Sequence, residues 1–146
     1  MTNPHYPELF SPIDLGGYTL RNRIIHASIV TKYVVNHAPT EKLLNYYRSR
    51  AAGGASAIIT EPIAMTGHSR IASRLRAWDD AGGDQLKRVA DVVNGEGALL
   101  MGQVQDPGGR RHSAGRNDGA AAAPALPDDL SWTVPAELSV AEIEDM

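Results

Sequence analysis

Short β-branched apolar runs alternate with longer amphipathic stretches along most of this chain. Ile24-Ile25-His26-Ala27-Ser28-Ile29-Val30 is nearly continuous in apolar side chains, the pattern of a strand covered on both faces in a parallel sheet. Thr40-Glu41 then opens a helix, with Thr40 placed to cap it and Glu41 favourable at the positive end of the dipole. Its apolar stripe is Leu43, Leu44, Tyr47 and Ala51, and Gly53-Gly54 stops it. Ala55 to Thr60, centred on Ala57-Ile58-Ile59, predicts a second strand. A polar loop from Thr66 to Asp80 leads to a second helix over Asp84 to Asn94, striped by Leu86, Val89, Ala90 and Val93 and ended by Gly95 or Gly97. Ala98 to Val104 predicts a third strand. Ahead of all this, the residues around Gly16-Gly17 predict a small hairpin. At the other end, Ser139-Val140-Ala141-Glu142 is a capping box, the start of a helix that Met146 leaves short.

Strand, helix, strand, helix, strand, joined by short glycine turns, signals βαβ units with right-handed crossovers. From Arg110 to Ala136 that rhythm breaks. The stretch is rich in Gly, Ala and Pro, and predicts a long loop after the third strand. The 146 residues suit a single domain, and the capping box at its end suggests the front part of a larger α/β architecture.

Composition narrows the function classes. A net charge of −3 argues against a nucleic-acid or anionic-membrane surface. Cysteine is absent, which excludes disulfides, thiolate catalysis and Cys-based zinc sites. No apolar run approaches the ~20 residues that cross a bilayer. The first residues carry neither a basic nor an apolar signal region, so the expected compartment is the cytoplasm.

Six short pieces, in order, carry a resemblance. They are Leu9-Phe10-Ser11-Pro12-Ile13 with Leu20-Arg21-Asn22-Arg23-Ile24; Pro39-Thr40-Glu41 through Tyr46-Tyr47 and Arg50-Ala51-Ala52-Gly53-Gly54; Ile58-Ile59-Thr60-Glu61; Ser69-Arg70-Ile71; Trp78-Asp79-Asp80; and Pro135-Ala136-Glu137-Leu138-Ser139. Together they resemble the old yellow enzyme family of FMN-dependent ene-reductases, including its 2,4-dienoyl-CoA and 2-enoate reductase branch, over almost the whole chain. The resemblance implies a (β/α)8 barrel with FMN over the C-terminal ends of the strands. This chain would supply about the first three βα units, as a partial TIM barrel of the α/β class with an N-terminal hairpin, spanning 1–146. A whole barrel needs ~200 residues or more. The family's substrate-binding His/His or His/Asn pair and its phosphate loops belong to later strands, and no counterpart is found here.

The resemblance also implies which residues meet the cofactor. After the first strand the family has Ala or Ser, Pro and Met, then a small or polar residue; this chain reads Ala27-Ser28-Ile29-Val30, so Ser28, Ile29 and Val30 are the expected flavin contacts. Val30 would offer no side-chain hydrogen bond to the ring. Pro62 stands where the family has Gly or Ala after Glu61, narrowing that space and removing a donor. Gln103 aligns with a family glutamine whose amide both donates to and accepts from the pyrimidine edge of FMN. Gln105, two residues on, competes for the same role on the same strand face. Asp106 replaces a family histidine, and Gly109 a family arginine unless Arg110 takes its place. No catalytic residue is assigned. His26 is expected to be a buried structural histidine rather than a catalytic one. Tyr33 lies one residue from a tyrosine of one family branch that could donate a proton. Arg110-Arg111-His112 and Arg116 could attract a phosphate but suit a solvated loop. Asp79-Asp80 resembles a metal pair, yet helix-dipole compensation accounts for it and no metal is expected.

By resemblance, then, the expected activity is reduction of an activated C=C bond of a small unsaturated substrate, with FMN as cofactor and NAD(P)H as reductant. It would require a second chain carrying the remaining strands, or a homo-oligomer, with neither nucleic acid nor membrane as partner. The alternative is a catalytically inactive truncated, binding or assembly module of the same fold.

Overall fold

A computed structural model of the chain describes residues 5–66, 72–106, 121–127 and 134–145. Strands β1 (Ile13–Leu15) and β2 (Tyr18–Leu20) form the expected antiparallel hairpin on Gly16-Gly17. Both glycines have positive φ, 57° and 86°, which the tight turn requires. Strand β3 (Ile25–His26) follows, then a second, unforeseen hairpin, β4 (Val34–Val35) with β5 (Ala38–Pro39). Its turn residues Asn36 and His37 sit at φ 49° and 64°; an asparagine between two apolar pairs was its signal in the sequence.

Helix α1 (Glu41–Ala52) is capped as expected: Thr40 Oγ1 accepts from the Leu43 N–H, and Gly53 closes the C-terminus. All four stripe residues are buried. Strand β6 (Ala57–Ile59) continues as β7 (Ile63–Ala64). Helix α2 runs over Asp80–Gly95, four residues earlier than the sequence suggested. Gly82-Gly83 reads as a breaker, but Gly82 answers a packing need: a Cβ there would lie 2.5 Å from the Arg76 carbonyl oxygen. Asp79 is the N-cap, accepting from the Gly82 N–H, and it also pairs with Arg76 at 3.0 Å, so it serves the helix end as expected.

Strand β8 (Leu99–Met101) and strand β9 (Val104–Gln105) divide the single third strand that was expected. The break at Gly102-Gln103 lets β9 pair with β7 while β8 pairs with β6. The central parallel sheet runs β3-β6-β8. Ile25, Ala57 and Leu99 share one row, and His26, Ile58 and Leu100 the next. The second row faces the helices, where Ile58 and Leu100 meet Leu43, Leu44, Tyr47, Val89 and Val93 in one cluster. Each fully buried aliphatic side chain there contributes roughly 1.5–3 kcal/mol.

The first row faces the other way. Ile25 is 42% exposed, and Leu99 with its neighbours Ile59 and Met101 is only partly covered. The first strand is therefore covered on its helix face alone, not on both faces as its sequence suggested. It is also shorter: beyond His26 the chain leaves the ladder, and Ile29 and Val30 are 53% and 48% exposed.

Most of the segment 110–136 lies outside the described residues, as do Ser69, Arg70, Ile71, Gly109, Arg110, Arg111, His112 and Arg116. Strand β10 (Ala121–Ala122) pairs in parallel with β11 (Ala136–Glu137). Helix α3 (Val140–Glu144) has the complete capping box, the Ser139 hydroxyl accepting from the Glu142 N–H and the Glu142 carboxylate accepting from the Ser139 N–H.

Candidate functional site

The C-terminal ends of the three parallel strands bring the sequence candidates together. β3 leads into Ala27-Ser28-Ile29-Val30, β6 into Thr60-Glu61-Pro62, and β8 into Gly102-Gln103. Thr60, fully buried, joins two of these ends: its hydroxyl accepts from the Gln103 N–H at 3.1 Å, and its N–H donates to the Met101 carbonyl. The Gln103 carbonyl in turn accepts from the Ile63 N–H at 2.8 Å. The Gln103 backbone is thus fixed on both sides, while the residue itself is exposed and its amide side chain bonds to no described residue.

Glu61 joins the other pair of ends. It is 1% exposed, and its Oε2 accepts from the Thr31 N–H at 2.8 Å and the Thr31 hydroxyl at 2.7 Å. Its own N–H donates to the Tyr47 hydroxyl at 2.8 Å. Burial raises the Tyr47 pKa well above its ordinary value, so that hydroxyl stays protonated across the physiological range. Pro62 is buried, unlike Ser28, Ile29, Val30 and Gln103. Nothing in the sequence singled out the Glu61–Thr31 contact, although a carboxylate directly after a β-branched strand was its signal.

The remaining candidates fall to the helix side or to loops. His26 Nε2 lies 3.2 Å from the Tyr46 hydroxyl, and its ring stands edge-on to Tyr46 and Tyr47. Desolvation and the nearby Arg50 hold its pKa below the usual imidazole value, as suits a structural histidine. Tyr33 packs edge-on to Tyr46, with the Lys42 ammonium 4.2 Å from its ring centre. Asp106 accepts from the Thr66 hydroxyl at 3.0 Å. Among the described residues no group of acidic and histidine side chains could hold a metal, and no helix is long and apolar enough to cross a membrane.

The model of the NADH:flavin oxidoreductase / NADH oxidase family matches residues 8–146. The chain belongs to that family. It is 33% identical over 138 residues to a metal reductase of Desulforamulus reducens, covering 94% of this chain and 21% of that protein. It is 32% identical over 145 residues to an NADPH dehydrogenase of a Geobacillus species, covering 94% of this chain and 40% of that protein. Among solved structures, the old yellow enzyme from Trypanosoma cruzi superposes with a TM-score of 0.76 at 25% identity, over 97% of this chain and 45% of that one. The chain thus spans less than half the length of these relatives, and its fold is that of a partial family barrel.

FMN is the family's cofactor, with NAD(P)H as its reductant. The donor set at the strand ends fits a flavin edge. Among the described residues, the backbone N–H and C=O groups of Ser28, Ile29 and Val30 meet no protein partner. The Gln103 amide adds one more donor and acceptor. The exposed Ile29 and Val30 side chains add apolar surface beside those groups.

Proposed function

We propose that this chain supplies the first βα units of an FMN-dependent ene-reductase, completed by further polypeptide carrying the remaining barrel strands. One observation carries the reading. The sheet face opposite the helices and the strand tips leave Ile25, Ile29, Val30 and Val104 between 42% and 58% exposed, in a family whose barrel would enclose them.

When bound, FMN would supply the redox step between NAD(P)H and an activated C=C bond of a small unsaturated substrate. This chain's residues would bind and orient it. The backbone groups of Ser28, Ile29 and Val30 would address one edge of the ring, and the Gln103 amide its pyrimidine side. Ile29 and Val30 would exclude water from the ring face. Val30 adds no side-chain hydrogen bond. Pro62 would limit approach at the second strand end from beneath, since it is buried. No proton donor is assigned.

The test is to express the chain with a polypeptide carrying the family's remaining βα units and pass the product over gel filtration. A yellow complex that reduces an activated alkene with NAD(P)H is the expected result, with weak or no flavin on the chain alone. A colourless mixture without complex, beside a cooperatively folded solitary chain, would favour an inactive binding module instead.

A further inference from the structure

We propose that Glu61 is a positioning residue of the flavin site, a buried clamp that holds the loop Ser28–Val30 in the shape that meets the cofactor. The proposal rests on the flavin reading above and concerns how that surface is held.

The loop has two anchors. At one end His26 is paired in the sheet, His26 to Ile58. At the other, Thr31 is tied to Glu61 twice, through its N–H and its hydroxyl, and the same hydroxyl oxygen accepts from the Tyr33 N–H at 3.1 Å. Between them, Ser28, Ile29 and Val30 make no hydrogen bond with any described residue. Lys32, the residue after Thr31, is a non-glycine at φ 61°, a conformation that costs energy and needs support from its surroundings.

Glu61 can act as a clamp because it is itself held by neighbouring groups. Its N–H is bonded to Tyr47, which is 1% exposed on α1, and the following Pro62 restricts it to extended backbone. A stability role is a poor explanation for a carboxyl group here. Taking one out of water is unfavourable unless both oxygens are satisfied, and Oε1 is buried with no partner among the described residues. An apolar side chain would serve the core better. What an apolar side chain would not do is accept both Thr31 bonds.

Amide hydrogen exchange and FMN titration test this, the first on the chain and the second on its complex with the remaining barrel strands. In Glu61→Ala, the Thr31 amide should exchange at least about tenfold faster while Ile58 and Leu44 keep their protection, and FMN affinity should fall about tenfold. Glu61→Gln retains an acceptor oxygen and should keep both within about threefold. Thr31→Val, at a half-buried site that preserves shape, should weaken FMN by about threefold with the fold intact. Unchanged Thr31 exchange in Glu61→Ala, or equal loss across Ile58 and Leu44, would overturn the clamp. So would a freed Thr31 with unaltered FMN affinity. A wild-type complex that never takes up FMN would instead remove the flavin reading, and the positioning role with it.

Discussion

The two ends of the parallel sheet are built differently. At the N-terminal ends of the strands, polar groups are matched. The Arg21 guanidinium donates to the carbonyls of Ala51 and Ala55 at 2.6 and 2.8 Å and to that of Glu96 at 3.1 Å, tying the ends of both helices to the strand entry. Asn22, buried, donates to the Gly54 carbonyl and accepts from the Ile24 N–H, and the Ser56 hydroxyl donates to the Ile24 carbonyl. A cavity of about 280 Å3 lies there between Phe10, Arg21, Asn22, Ile24 and Gly53-Gly54, a crevice among groups already paired. At the C-terminal ends, three consecutive residues leave their backbone without a partner among the described residues, apolar side chains are exposed, and a buried carboxyl oxygen of Glu61 likewise meets no described partner. One end is finished as a foundation. The other retains hydrogen-bonding groups without a partner among the described residues, in keeping with the proposed flavin site at that end.

That contrast yields graded expectations. Arg21→Ala should have the largest effect on stability, lowering unfolding free energy by about 2–3 kcal/mol through three lost charge-assisted bonds, with FMN affinity in the completed complex unchanged. Denaturant titration beside FMN titration checks this, and a loss of affinity without a loss of stability would erase the distinction between the ends. Thr60→Val should lower stability by about 1–2 kcal/mol, because the Gln103 N–H loses its acceptor, and should also weaken FMN. Gln103→Ala belongs to the other extreme: stability within about 0.5 kcal/mol of wild type, since the side chain is exposed, with FMN weakened about tenfold.

The smallest expected effect is a pH dependence on the helix face. The folded state disfavours protonated His26, so the unfolded chain binds the proton more tightly. Its contribution to stability is complete above the ordinary imidazole pKa and declines as pH falls through that value towards the lower folded one. Removing the imidazole in His26→Gln should flatten that part of the stability profile. An unchanged slope between wild type and variant would place the responsible group elsewhere.

The helices were the most legible parts of the chain, because their signals are local. Thr40 and Ser139 cap as their neighbours dictate, and the stripe of Leu43, Leu44, Tyr47 and Ala51 is the buried face. The start of α2 was misjudged because Gly82 looks like a breaker when read alone; its reason is the Arg76 backbone beneath it, a contact between loop and helix. Strand lengths were overestimated for a related cause. An apolar run such as Ile24 to Val30 reads as one strand, whereas the ladder ends at His26 and Ile29 and Val30 lie exposed beyond it.

The candidate site was legible only through family likeness, which pointed to Ser28, Ile29, Val30, Pro62 and Gln103. It did not reveal that Thr60 and Glu61 hold those tips in place. Those bonds join residues 43 and 30 positions apart, and no periodicity encodes them.

Amide exchange of the completed complex, measured with and without FMN, tests the difference between the ends most directly. Protection should appear at Ser28, Ile29 and Val30 when FMN is added, while Arg21, Asn22 and Ser56 stay as they were. Protection at the Arg21 end, or none at the strand tips while FMN is bound, would contradict the assignment of the open end as the flavin site.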